Sequence, residues 1–216
     1  MTIRLNHERL AVATAELCAQ DPDLEKVVDE YGVPPLWNRS ESFRTLLYLI
    51  LEQQVSLASA RATFEKLLAW IGSEPKPNKL LLLKDVELRK LGFSRQKIRY
   101  SRFLAQAIVD GSLRLNDLHA WSDDLARKEL MKIPGIGPWT ADLYLMEALG
   151  RPDVWPVGDV ALAVGLERVK NLKSRPDQDT LMEFGDRWRP YRSVAARILW
   201  HYYLCAVRPP TGGKPS

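Results

Sequence analysis

The chain has 216 residues, 46% hydrophobic and 27% charged, the balance of a globular protein that can bury a core, so disorder is excluded. At roughly 100–200 residues per domain it holds one or two compact units. Only Cys18 and Cys205 are present, which excludes a disulfide-stapled scaffold, a four-cysteine zinc site and a four-cysteine iron–sulfur cluster; the net charge of +4 points only weakly at an anionic partner.

Arg4, His7, Glu8, Arg9 and Glu16 interrupt the first 19 residues, where a signal peptide would need an unbroken apolar run. No stretch reaches the roughly 18 apolar residues of a membrane span. The expectation is a soluble protein, cytoplasmic if bacterial and nuclear if eukaryotic, not secreted and with no membrane partner.

Nearly every segment reads as helix. Asn6 caps a first helix, and Asp23 opens a short second one that Gly32 ends. Val33, Pro34 and Pro35 break the chain, because proline lacks an amide proton and restrains its predecessor. Ser42 and Ser56 cap two apolar helices, and residues 73–78 read as a loop with two prolines. Asp85 begins a short helix, Ser94 a longer basic one closed by Gly111, and Ser122 a helix with Asp123 and Asp124 in its first turn, as the helix dipole favours. A helix from Trp139, one begun by Asp159, one capped by Asp177 and a last one opened by Pro190 complete the series. The fold class is all-α, about ten helices in two lobes. Residues 42–166 form one lobe, 1–41 with 167–216 the other, and 209–216 a flexible tail.

The most informative segment is 130–141, LMKIPGIGPWTA. Gly135 and Gly137 punctuate a tight turn between two helices and have no side chain to hold another surface away. Amides at the start of the following helix then face outward and suit a phosphate oxygen, a contact blind to base sequence. A plain helical hairpin accounts for the glycines about as well.

LMKIPGIGPWTADLYLMEALG followed by DVWPVGDVAL resembles the helix-hairpin-helix motif, glycine/proline-rich loop and essential aspartate of the HhH-GPD DNA glycosylase superfamily. Within it the chain is most similar to the 3-methyladenine DNA glycosylase II class, in a compact form without an N-terminal β domain. Residues 49–56 (LILEQQVS), 91–94 with Lys97, and 188–195 with Trp200 carry further resemblance, so that it covers about 43–200. It implies a monofunctional enzyme that flips an alkylated purine (3-methyladenine, and 7-methylguanine) out of duplex DNA and hydrolyses its glycosidic bond. The alternatives are a non-catalytic DNA-binding module and a glycosylase for deaminated or mismatched bases.

The resemblance assigns Asp159, 20 positions after Trp139, as the catalytic residue. Without it, a helix cap is the ordinary reading of an aspartate there. An anion beneath the sugar stabilises the oxocarbenium-like charge of the departing base. Trp139 occupies the position of the lysine nucleophile of bifunctional relatives, so no Schiff base and no strand cleavage are expected. A cationic base leaves without protonation and suits an aromatic pocket, since a desolvated cation on an indole face gains about 2 kcal/mol. Trp139 and Trp200 match pocket positions; Tyr144 and Trp37 are further candidate walls, while Trp70, Trp121 and Trp188 read as core. Gln53, Gln54, Lys132, Pro134, Gly135, Gly137 and Thr140 are the candidate DNA contacts, with Gln54 at the position that fills the gap left by the flipped base. The basic helix adds Arg95, Lys97, Arg99 and Arg102. No cofactor is required and no iron–sulfur cluster expected; the main-chain carbonyls of Met131, Ile133 and Ile136 could hold Na+ or K+ at the hairpin. The expected partner is double-stranded DNA with alkylated bases, met by a monomer.

Overall fold

A computed structural model describes residues 3–208, and the expected flexible tail at 209–216 lies outside them. Within them the chain forms α1 (His7–Gln20), α2 (Pro22–Tyr31), α3 (Phe43–Glu52), α4 (Leu57–Ile71), α5 (Pro77–Leu82), α6 (Asp85–Lys90) and α7 (Arg95–Val109). A 3-10 helix at Leu115–Ala120 leads to α8 (Asp123–Met131), α9 (Pro138–Glu147), α10 (Val160–Val169), α11 (Gln178–Arg187) and α12 (Arg192–Tyr202), which ends in a π turn, Tyr203–Val207. No strand occurs among the described residues, in keeping with the all-α expectation. No helix among them is long and apolar enough to cross a membrane.

The expected caps form at most helix starts. Asn6, Ser56, Ser94, Ser122, Asp159 and Asp177 each accept an amide of the first turn through the side chain. Four helix starts differ from expectation, each at a proline; the smallest difference is at α9, which Pro138 and not Trp139 opens. Asp21, not Asp23, caps α2, because Pro22 takes the first helical position where its missing amide costs nothing. Pro77 opens α5 inside the expected loop for the same reason. Pro190 does not open α12; the Tyr191 amide bonds the Trp188 carbonyl in a turn, and the helix starts at Arg192.

The chain divides into two units, Asn38–Leu149, and Ile3–Trp37 with the described part of Gly150–Ser216. The sequence alone places the divisions at 41/42 and 166/167; the second of these would cut α10. That helix is held whole in the second unit because Gly165 lets it lie directly on α12. A Cβ there would stand 2.7 Å from the Leu199 carbonyl oxygen. In the first unit α9 is the central element, with Thr140 to Ala148 all buried, packed against α3 and α8.

Asp21 ties the second unit together. Its carboxylate caps α2 and accepts Lys170 Nζ at 2.5 Å and the Trp188 indole N–H at 2.9 Å. Burial pushes this carboxyl up, but the bonds from Lys170 and Trp188 and the Lys170 charge outweigh it and hold the pKa below the usual range. A depressed acid contributes stability above its unfolded pKa and loses it as pH falls through the folded value. Asp21→Asn is therefore expected to cost about 1–3 kcal/mol at neutral pH. Urea midpoints of variant and wild type should converge below the carboxylate range.

Candidate active site and DNA-contact surface

The hairpin joins α8 to α9 in the first unit. Ile133 and Ile136 are buried and anchor the turn, and the Ile136 amide bonds the Ile133 carbonyl at 3.0 Å. Pro134 and Gly137 are exposed, Gly135 partly so. Arg127 of α8 clamps the two helices through Asp142 of α9 at 2.6 Å. The two glycines serve different ends. Gly135 has φ +98, and a Cβ there would overlap the Tyr100 ring. Gly137 has φ −94, open to any residue, and a Cβ there would meet nothing within 4 Å. A backbone conformation closed to other residues is therefore found at Gly135 and not at Gly137. Gly137 leaves empty space at the start of α9, where the first-turn amides lack helical acceptors.

The end of α3 abuts this turn. Gln53 Nε2 donates to the Gly135 carbonyl at 2.8 Å and to Thr140 Oγ1 at 2.9 Å. Both amide protons are thus spent on the hairpin, and Thr140 is 2% exposed. Gln53 and Thr140, expected as DNA contacts, are instead internal braces of the surface. Glu52 is buried against Arg39, whose guanidinium reaches Glu52 at 3.0 Å and Glu147 at 2.6 Å. Lys97 Nζ caps the Leu51 carbonyl at 2.5 Å, and burial pushes its pKa down. Lys97 therefore leaves the expected basic stripe. Sequence reasoning missed Arg39; its partners lie 13 and 108 positions away, and nothing local marks the meeting.

Against this fixed background Gln54 stands out. It is exposed, with φ +57, a left-handed conformation that costs a non-glycine residue about 1–2 kcal/mol. Strain retained at an exposed tip is the form in which functional geometry is commonly stored. Removing the brace beneath it should show. Gln53→Ala leaves the Gly135 carbonyl and Thr140 hydroxyl short of a partner, and is expected to lower unfolding free energy by about 1–3 kcal/mol, read by urea denaturation.

Among the remaining first-unit candidates, Trp139 lies half-buried on the first turn of α9. Lys132 is exposed and paired with Glu129 at 2.6 Å. Tyr144 is a correction. It is fully buried in α9, its hydroxyl has no hydrogen-bond partner, and burial pushes the phenol pKa up. It fills core and is not an open wall, because α9 is enclosed on every side at its position.

The second unit gathers three candidates. Asp159 caps α10, its Oδ1 accepting the Leu162 amide at 2.8 Å. The same oxygen accepts the Trp200 indole N–H at 3.1 Å. Trp37 meets Trp200 edge to face, centroids 6.4 Å apart. All three are half-buried, and Trp37 has φ +43. A half-exposed carboxylate is thus held by the indole N–H of Trp200, and a second indole, Trp37, packs on that first one. His201 bonds the Tyr31 carbonyl at 2.8 Å and lies near Trp37, tying α12 to the segment that carries that indole. Of the tryptophans assigned to core, Trp188 is 2% exposed, whereas Trp70 stands 54% exposed on α4.

Residues 47–190 match the family described as "HhH-GPD superfamily base excision DNA repair protein". The chain belongs to that superfamily. A Bacillus subtilis member named "DNA-3-methyladenine glycosylase" is 28% identical over 202 residues, 86% of this chain and 65% of its own length. The chain thus spans less than two thirds of that curated relative. Among solved structures, a Schizosaccharomyces pombe 3-methyladenine DNA glycosylase in complex with abasic DNA matches with TM-score 0.82 at 25% identity. That match covers 87% of this chain and 94% of the other. A DNA-3-methyladenine glycosidase from Bacillus halodurans matches with TM-score 0.75 at 31% identity, over 88% of each chain.

Neutral carbonyl oxygens at the superfamily hairpin suit a hard monovalent cation. Of the three expected carbonyls, Ile133 O accepts the Ile136 amide at 3.0 Å and keeps a second lone pair. No group of three or more His, Cys, Asp or Glu among the described residues could hold a metal.

Proposed function

We propose that the protein is a monofunctional DNA glycosylase of base excision repair that removes alkylated purines, 3-methyladenine and 7-methylguanine, from duplex DNA. The observation that carries this reading is the Asp159 carboxylate at the N-terminus of α10, held by the Trp200 indole with Trp37 alongside. N-alkylation at N3 or N7 makes the base cationic. The bond from C1′ to the base then breaks with its electron pair going to the base, which departs neutral without a general acid. Positive charge left on the sugar is met by the Asp159 anion. Water adds to C1′ and loses a proton, leaving an abasic site.

By the resemblance, Trp139 occupies the sequence position of the lysine that forms a Schiff base in bifunctional relatives, so no such covalent intermediate forms. Gln54 fills the stack after the base leaves it, and its amide can bond the unpaired base opposite. The hairpin holds the duplex by a backbone phosphate at the start of α9. A monovalent cation on the Met131, Ile133 and Ile136 carbonyls would add positive charge near that phosphate.

The test is direct. Incubation with N-methylated duplex DNA should release 3-methyladenine and 7-methylguanine, resolved by chromatography, while borohydride traps no covalent complex. Absence of any released base overturns the reading, and efficient trapping overturns the monofunctional mechanism.

A further inference from the structure

Between α6 and α7 in the first unit lies a cleft of about 350 Å³, lined by Asp85, Arg89, Arg95, Ile98, Arg99 and Arg102. Four arginines face one aspartate. The local charges are not all equally available. Arg102 is spent on the fold, donating to Asp85 at 2.7 Å and to the Leu81 and Leu83 carbonyls at 3.2 and 2.6 Å. This neutralises the one carboxylate. Arg89, Arg95 and Arg99 are exposed and have no ion pair among the described residues; Arg99 lies only against the Tyr100 ring. Three uncompensated guanidinium groups therefore share one concave wall, floored by the buried Ile98.

We propose that this arginine cleft is a second binding site for phosphodiester groups, engaging the DNA backbone away from the hairpin. It rests on the DNA reading above. Guanidinium forks match phosphate oxygens bidentately, and a shared cleft of one sign attracts a polyanion more than separate surface charges do. Arg95, Arg99 and Arg102 recur about one turn apart, so they line one face of α7. The two that are free to bind, Arg95 and Arg99, lie about 6 Å apart along its axis, about two nucleotides of one strand. The next residue on α7, Tyr100, packs against Gly135 of the hairpin, so one rigid helix carries the cleft and supports the phosphate-binding turn. The same ligand chemistry could come from free phosphate, and the experiment separates the sources.

Duplex affinity of wild type and Arg95→Gln/Arg99→Gln is measured against salt by fluorescence anisotropy. Removing one phosphate contact makes the slope of log K against log salt shallower by about 0.9, so the double variant should bind more weakly with a slope shallower by about 2. Arg89→Gln, on the other helix, should lower it by about 1. Unchanged affinity and slope in both variants overturn the proposal. Calorimetry with inorganic phosphate forms the second arm: saturable phosphate binding with unaltered duplex slopes would assign the cleft to a free phosphate and reject the DNA contact. Wild-type base release is followed in parallel, so an inactive protein with altered slopes sinks the glycosylase reading and leaves the cleft standing.

Discussion

Asp159→Asn is expected to lower base release from N-methylated DNA about 100- to 1,000-fold, with unfolding free energy within about 0.5 kcal/mol of wild type. The two expectations separate because of what Oδ1 does. It accepts the Leu162 amide and the Trp200 indole N–H, and an asparagine oxygen can accept both. Asparagine is also as good a helix cap as aspartate. The substitution therefore keeps the local geometry and removes only the charge. An aspartate kept solely as a cap would lose nothing by it. Single-turnover base release and urea denaturation on the same preparations decide the matter: near wild-type release would leave Asp159 as a cap and move catalysis elsewhere.

How much of the molecule is legible in the sequence follows from the range of the interactions involved. Helix caps act over three residues, so Asn6, Ser56, Ser94, Ser122, Asp159 and Asp177 are legible one by one. Errors arise where proline shifts a start, at Pro22, Pro77, Pro138 and Pro190, because proline suits a first helical turn and also breaks a chain. The catalytic candidate is legible from spacing through the resemblance, but its hydrogen bond to Trp200 spans 41 positions and is a product of the α10–α12 packing. Gln53 shows the limit most clearly. Two adjacent glutamines of equal chemistry divide their work by backbone alone. Gln53 keeps φ −57 and turns inward to the hairpin; Gln54 takes φ +57 and points out. No property of the side chains distinguishes them. Tyr144 fails for a related reason: α9 is buried on every face along most of its length, so an aromatic there gives no sign of which side is a pocket.

The hairpin glycines offer the other large effect, and they should fail in opposite ways. Gly135→Ala combines a left-handed backbone with overlap on the Tyr100 ring, which cannot retreat as a flexible chain end could. Strain of about 1–2 kcal/mol and overpacking of about 1–3 kcal/mol together predict a loss of roughly 2–5 kcal/mol in unfolding free energy. Gly137→Ala has an ordinary φ and open space around the new methyl group, so its stability should stay within about 0.5 kcal/mol of wild type. The methyl group would nonetheless project where a phosphate must approach the first-turn amides of α9. Duplex affinity is expected to fall about tenfold or more in that variant, about 1.4 kcal/mol, while its urea midpoint does not move. A Gly137→Ala protein that binds duplex DNA as wild type does would show that the turn is a packing device only. The glycines would then need no ligand to explain them, and the DNA contact of this unit would have to be sought at Gln54 and along α7.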